Sequence, residues 1–212
     1  MSVSSPDLSI QSIDSLSGHC WLIFGPMFGG KTTMLRGILT RYADVGLRTL
    51  YINHSIDVRD TPGDDILSSH NSGFKGLSAK IVGLKTSQLT DIDVDSYDVI
   101  GIDEAQFFED LNSIVRHWVL DLKKMVCVSS LQGDYKLETF GTAHLLIPIA
   151  EKILQAEAIC VSCLEKSNSK FGRFNLQPAN FSKRITASDD VILVGGSDSY
   201  VATCLKCHQS DE

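Results

Sequence analysis

Short apolar runs separated by longer amphipathic stretches dominate the chain as far as about residue 156. The runs fall at Cys20–Phe24, Thr49–Asn53, Lys80–Val82, Val99–Ile102 and Met125–Ser129, each bounded by polar residues or glycine, and they predict β-strands. Between them the spacing predicts helices over 31–43, over 107–122 with apolar Phe107, Leu111, Ile114, Val115, Trp118 and Leu122, and over 142–155. Strands that alternate with helices build a parallel sheet with helices on its faces, so an α/β fold is expected. Residues 54–76 show no clear period and carry Pro62, Gly63, Asp64, Asp65 and Gly73, which predicts a flexible loop. Near residue 157 the periodicity stops, paired cysteines appear and polar residues crowd 165–190. The expected organisation is a flexible tail over 1–17, an α/β domain over 18–156 and a smaller domain over 157–212.

Composition narrows the setting. A 43% hydrophobic share over 212 residues suffices for one substantial core plus a small appendage. The net charge of −7 argues against the basic footprint that DNA or RNA binding requires, so a small nucleotide is the better ligand. No apolar run approaches the roughly 20 residues that span a bilayer, and the first residues lack the basic and apolar regions of a signal peptide. The expectation is a cytoplasmic protein with no membrane partner.

The candidate chemistry starts at Gly25-Pro26-Met27-Phe28-Gly29-Gly30-Lys31-Thr32, which fits the phosphate-binding P-loop G-x-x-x-x-G-K-[ST] between a strand and a helix. Its glycines let backbone N–H groups converge, Lys31 neutralises phosphate charge and the Thr32 hydroxyl can ligate Mg²⁺. A merely structural glycine-rich turn would need neither the lysine nor the hydroxyl. Val99-Ile100-Gly101-Ile102-Asp103-Glu104 is an apolar strand ending in two acids, so Asp103 is expected to hold Mg²⁺ and Glu104 to serve as a general base toward a hydroxyl or a water. Cys160-x-x-Cys163 and Cys204-x-x-Cys207 are two knuckles that together offer four thiolates to a structural Zn²⁺, with a 40-residue loop between them. His208 is an alternative ligand beside Cys207, whereas Cys20 and Cys127 lie in strands and read as core thiols. Tyr135 follows a strand and is either a base-stacking ring or an ordinary tyrosine, a choice equally open for Phe107, Phe108, Phe140 and Tyr200. Asp57-Val58-Arg59 offers a guanidinium to a phosphate or to a surface ion pair.

Taken together these pieces resemble the type II thymidine kinase family, which joins a P-loop domain to a zinc-bound lasso domain. The likeness runs from the P-loop and Thr33 through Asp57-Val58-Arg59, Ser69-His70 and Ile102-Asp103-Glu104-Ala105-Gln106-Phe107-Phe108. It continues through Leu131, Gly133, Tyr135, Phe140-Gly141, both cysteine pairs and Val194-Gly195-Gly196-Ser197-Asp198-Ser199-Tyr200. The resemblance implies that ATP phosphorylates the 5′-hydroxyl of thymidine, with Glu104 as base. It places Gly25 to Thr32, Asp57, Arg59, Asp103 and Gln106 on the ATP side, and Thr32 and Asp103 on Mg²⁺. On the nucleoside side it places Phe107, Leu131, Tyr135 stacked on thymine, the lasso backbone at Val191, Ile192, Leu193, Val194 and Gly195, and Tyr200. It also implies a homotetramer, inhibition by dTTP, and no nucleic-acid partner.

Departures cluster near the nucleoside. Gln132 stands where the family usually has an acid, and Phe171-Gly172-Arg173-Phe174 is set against the family's F-T-x-R, losing a threonine hydroxyl. The altered lasso leaves room for deoxyuridine as a second acceptor. A rival reading is a nucleic-acid-binding ATPase, which also pairs a P-loop with a four-cysteine module. Such ATPases often place that module first and are basic, whereas this chain places it last and is acidic.

Overall fold

The computed structural model describes residues 18–57, 80–167, 176–187 and 196–210. The apolar runs become strands β1 (Cys20–Gly25), β2 (Thr49–His54), β3 (Ile81–Thr86), β4 (Val99–Asp103) and β5 (Met125–Leu131), joined by β6 (Lys152–Gln155). They form one six-stranded sheet in the order β3-β2-β4-β5-β1-β6. β2 runs parallel to both β3 and β4, and β4 parallel to β5. On the other side, Glu151 N–H donates to the Cys20 carbonyl and Ala156 N–H to that of Phe24, so the two chains advance together and β6 is parallel to β1. Every residue of β2 and β4 is buried, as strands covered on both faces of a parallel sheet must be. The edge strands are less covered: Val82 is 50% and Ile153 52% exposed.

Helix α1 (Lys31–Asp44) buries Leu35, Ile38, Leu39, Tyr42 and Ala43, the i, i+3, i+4, i+7, i+8 stripe of a single helical face. Trp21 of β1 meets Tyr42 edge to face at 6.4 Å, adding a directional contact to the apolar burial. The next expected helix is shorter than its periodicity suggests. A 3₁₀ turn at Ala105–Phe107 precedes α2 (Leu111–Arg116), which continues as a π turn over His117–Asp121. Two backbone positions prevent an earlier start: Glu104 is left-handed and Phe108 extended. Asp110 also spends its carboxylate on the N–H groups of Leu89 and Thr90 and the Thr90 hydroxyl, and makes no cap of its own.

The helix expected over 142–155 is replaced by a 3₁₀ segment, Ala143–Ile149, followed by β6. Pro148 lacks the N–H that a continuing helix needs, and Ala150 is already extended. The edge of β1 then offers hydrogen bonds that the segment takes up as a strand. β3 also outruns the apolar stretch Lys80–Val82, because its pairing with β2 carries it past Gly83 to Thr86. The tail over 1–17 and most of the loop expected over 54–76 lie outside the described residues. No described helix is long and apolar enough to cross a membrane.

The chain divides into two compact units. The described parts of 1–23, 32–130 and 141–154 make the first and hold most of the sheet, while those of 24–31, 131–140 and 155–212 make the second. The second unit contains two small antiparallel pairs, β7 (Ala158–Ile159) with β8 (Pro178–Ala179), and β9 (Phe181–Arg184) with β10 (Tyr200–Thr203). Short helices α3 (Val161–Glu165) and α4 (Leu205–Gln209) complete it around Cys160, Ala179, Ala202 and Cys207.

In the first unit, Gly101 marks the closest approach of α1 to β4. A Cβ there would lie 2.4 Å from Leu39 Cδ1, and Leu39 is itself fully buried. Gly101→Ala should therefore destabilise the protein by about 1–3 kcal/mol through overpacking, read as a lower urea midpoint at unchanged slope.

Candidate functional site

The P-loop belongs to the second unit and is shaped by close packing at its first glycine. A Cβ on Gly25 would sit 2.4 Å from the Ala156 carbonyl oxygen, so the chain can pass only without a side chain. Phe28, exposed at the tip, adopts φ 64, a left-handed conformation that is uncommon for a bulky residue and is often retained at ligand-binding loops. Lys31 is buried and its Nζ donates to the Pro26 carbonyl at 2.8 Å, so the ammonium folds back over the loop. The Met27 N–H donates to Ser182 Oγ at 2.9 Å. In the first unit, Thr32 is half-buried in the opening turn of α1.

The two acids at the end of β4 are both withdrawn from water, Asp103 being 2% and Glu104 9% exposed. Burial of carboxylates is costly unless donors reach them. Asp103 Oδ2 accepts from the Tyr51 hydroxyl at 2.9 Å, and its Oδ1 from the Glu104 N–H at 3.0 Å. Glu104 Oε2 accepts from Gln106 Nε2 at 2.6 Å, and Gln106 Oε1 accepts from the Ser130 hydroxyl at 3.3 Å. Burial first, and then the Asp103 carboxylate, push the Tyr51 phenol far up, so it stays a donor. Glu104 sits at φ 49, ψ 41. A glutamate in that strained region at a strand end points to a constraint other than packing. Gln106, assigned by resemblance to the ATP side, is placed here against Glu104. Asp57 is buried; its Oδ2 accepts from Asn53 Nδ2 at 3.3 Å and its backbone carbonyl from Lys85 Nζ. Phe107 packs beside His54, whose ring also meets Phe108 edge-on at 4.6 Å.

The expected nucleoside residues of the second unit are partly assembled. The Arg184 guanidinium lies 3.8 Å from the centroid of the Tyr135 ring and 5.2 Å from that of Tyr200, and hydrogen-bonds the Tyr200 hydroxyl at 2.5 Å. One face of Tyr135 is thus stacked by a cation. Leu131 is half-buried at the end of β5. Gln132 Nε2 donates to the Asn180 carbonyl at 2.6 Å while its Oε1 accepts from Gln155 Nε2 at 2.7 Å, a pair of roles that an acid in its place could not fill. A small cavity beside it is lined by Pro26, Gln132, Asp134, Asn180, Phe181 and Ser182. Arg59, Val191, Ile192, Leu193, Val194 and Gly195 lie outside the described residues, as do Ser69-His70 and Phe171 to Phe174.

Sequence reasoning missed Ser182 and Arg184. Phe181-Ser182-Lys183-Arg184 itself fits F-T-x-R with serine for threonine, and this strand pairs Arg184 with Tyr200. Ser182 thus offers a hydroxyl within this second F-T-x-R-like segment, ten residues after Gly172. One hydroxyl-for-hydroxyl exchange ten residues downstream was the signal available.

The four cysteines form a candidate metal centre in the second unit. Cys160 and Cys204 each stand at the N-cap of a short helix, so each C-x-x-C turns its two sulfurs to one side. All four Sγ atoms lie within 4.8 Å of one another, with Cys163 at 3.8 Å from Cys204 and 3.6 Å from Cys207. A tetrahedral ion with Zn–S of about 2.3 Å requires S···S edges of about 3.8 Å, so the cluster has the right size for Zn²⁺. The Cys163 thiol, hydrogen-bonded to Cys207 and Cys160, is pushed up to about 12, as befits clustered thiols that cannot all ionise without a cation. Cys160, despite its burial, is brought down to about 7 by the backbone N–H groups of Cys204 and Cys163 and by the neighbouring thiols. Cys20 behaves oppositely: burial, then Glu151, push its thiol up to about 12, and burial raises Cys127 as well. Those two are inert core thiols.

Comparison with known proteins gives one consistent result. A family model described as thymidine kinase matches residues 18–208. The chain is 34% identical over 202 residues to the thymidine kinase of Fowlpox virus (strain NVSL), covering 92% of this chain and 99% of that protein. It is 32% identical over 203 residues to thymidine kinase 1 of Dictyostelium discoideum, covering 94% and 82% respectively. Among solved structures, the flagellar accessory protein FlaH from Methanocaldococcus jannaschii matches with a TM-score of 0.50 at 14% identity, over 72% of this chain and 79% of that one. That likeness concerns the fold alone.

The thiol cluster predicts about one Zn²⁺ per chain by elemental analysis. Cys163→Ser should lose the metal and lower the melting temperature, since the small core of the second unit has little apolar area to replace it. Full thermal stability without bound metal would contradict the assignment.

Proposed function

The chain belongs to the thymidine kinase family, and we propose that it transfers the γ-phosphate of ATP to the 5′-hydroxyl of thymidine, giving dTMP and ADP for deoxynucleotide salvage. The observation that carries this reading is Glu104, a buried glutamate on left-handed backbone directly after Asp103, oriented by Gln106. A base so held can take the proton of an alcohol as its oxygen attacks the γ-phosphorus. The bond from that phosphorus to the β,γ-bridging oxygen breaks, and ADP leaves with its electron pair.

Lys31 and the amides of Gly25 to Thr32 hold the donor phosphates in this reading. Thr32 and Asp103 offer oxygen donors that suit Mg²⁺, a hard cation that neutralises developing charge when bound. Asp57 and Gln106 border the donor side, and Arg59 is assigned to the transferring group on resemblance alone. Tyr135, against whose ring Arg184 packs, is assigned to the pyrimidine on the same resemblance. Phe107, Leu131 and Tyr200 are assigned to the walls, and the backbone of Val191 to Gly195 to the base edge. A backbone edge suits this task because each non-proline residue offers a donor and an acceptor.

Residues 18–156 form the kinase domain and 157–212 the zinc-bound lasso in this account, after a tail over 1–17. A cytoplasmic homotetramer inhibited by dTTP follows from the same resemblance. Ser182 keeps a hydroxyl where the family has threonine, which supports retained thymine selectivity, with deoxyuridine as a weaker second acceptor.

A panel of nucleosides with ATP and Mg²⁺, scored for phosphorylated product, tests the proposal. Thymidine is expected to exceed deoxycytidine in kcat/KM by more than tenfold. Equal values would sink the thymine assignment, and DNA-stimulated ATP hydrolysis without nucleoside product would identify a nucleic-acid-dependent ATPase instead.

A further inference from the structure

Tyr51 is an aromatic residue within an otherwise aliphatic and polar β2, and it is 0% exposed. Parallel pairing sets it opposite Gly101 of β4. Residues two apart on a strand share a face, so Gly101 and Asp103 lie on the face toward which Tyr51 points. Gly101 has no side chain to block the way, and the phenol reaches across to Asp103 Oδ2 at 2.9 Å. From the layer above, Arg36 of α1 places its guanidinium 5.2 Å from the centre of the Tyr51 ring and donates through Nη2 to the hydroxyl at 3.4 Å. Arg36 stands four residues after Thr32, on the same side of α1. A single phenol oxygen therefore connects the strand that ends in Asp103 with the helix whose first turn carries Thr32.

We infer that Tyr51, held by Arg36, is a positioning residue for the divalent cation bound by Asp103 and Thr32. The inference rests on the cation roles given to those two residues above. Asp103 receives one donor on each oxygen, from Tyr51 and from the Glu104 N–H, so its carboxylate plane is fixed before any cation arrives. The remaining lone pairs point in set directions, which favours the rigid octahedral shell of Mg²⁺. Without the phenol, Asp103 can rotate, and cation binding must order it. Hydrogen-bond partners behind a metal ligand are worth roughly 10- to 100-fold in metal affinity.

Tyr51→Phe keeps the ring and its contact with Arg36 and removes only the hydroxyl. The complex of the protein with a non-hydrolysable ATP analogue would be titrated with Mn²⁺, with free Mn²⁺ read by electron paramagnetic resonance. Turnover would be followed in parallel against Mg²⁺ concentration. Both the Mn²⁺ dissociation constant and the half-saturating Mg²⁺ concentration should rise by roughly 10-fold or more, with metal-free binding of the analogue unchanged. A purely structural hydrogen bond would shift the melting temperature and leave both metal constants at wild-type values, which would overturn the inference. If Tyr51→Phe does not fold, Arg36→Met on the half-buried helix face decides: a weaker Mn²⁺ constant supports the relay and an unchanged one refutes it. A wild-type protein that binds Mn²⁺ with nucleotide in this Tyr51-dependent way but phosphorylates no nucleoside would remove the acceptor assignment and leave the relay standing.

Discussion

Asp103 and Glu104 place two adjacent carboxyl groups inside the protein at the end of β4, where little water reaches them. Each carboxylate withdrawn without compensation costs several kcal/mol, so the surrounding chain must supply donors in place of water. The structure does so one oxygen at a time: Tyr51 from the neighbouring strand, the Glu104 N–H from the chain itself, and Gln106, braced by Ser130, from the following turn. The left-handed backbone at Glu104 lets the chain turn abruptly into that 3₁₀ segment, and the delayed start of α2 follows from it. A fold built only for stability would have no reason to end its most buried strand in two acids. A phosphoryl-transfer site does, because one acid can face a cation and the other an incoming hydroxyl.

The second unit obeys a different constraint. Its described core is made of Cys160, Ala179, Ala202 and Cys207, side chains too small to bury much apolar surface. Its strands are two to four residues long. Four sulfurs spaced for a tetrahedral ion would, with Zn²⁺ bound, supply cohesion that packing lacks and tie the two C-x-x-C turns together. The pairing that holds β9 to β10 is also the pairing that sets Arg184 opposite Tyr200.

Much of this arrangement is legible in the sequence because it depends on local signals. The parallel core strands show as short, largely apolar runs, α1 as a stripe from Leu35 to Ala43, and the thiol cluster as two C-x-x-C pairs. What escapes depends on partners distant in sequence. The segment over 142–155 has helical composition, but Pro148 and the open edge of β1 turn its second half into a strand. Tyr51 reads as one more strand residue until β4 is laid beside it with Gly101 opposite. Phe171 to Phe174 and Phe181 to Arg184 both approach the same pattern in sequence, and the pairing with β10 shows that the second lies against Tyr200.

The central claim is that Glu104 acts as the base in transfer from ATP to a nucleoside hydroxyl. Glu104→Gln tests it most directly, since it keeps the side chain's size and removes the basic oxygen pair. Measured side by side, turnover with thymidine should fall by about 10²- to 10⁴-fold while the dissociation constant for ATP stays within a few-fold of wild type. Turnover within tenfold of wild type would contradict the account, leaving the buried glutamate as a structural residue.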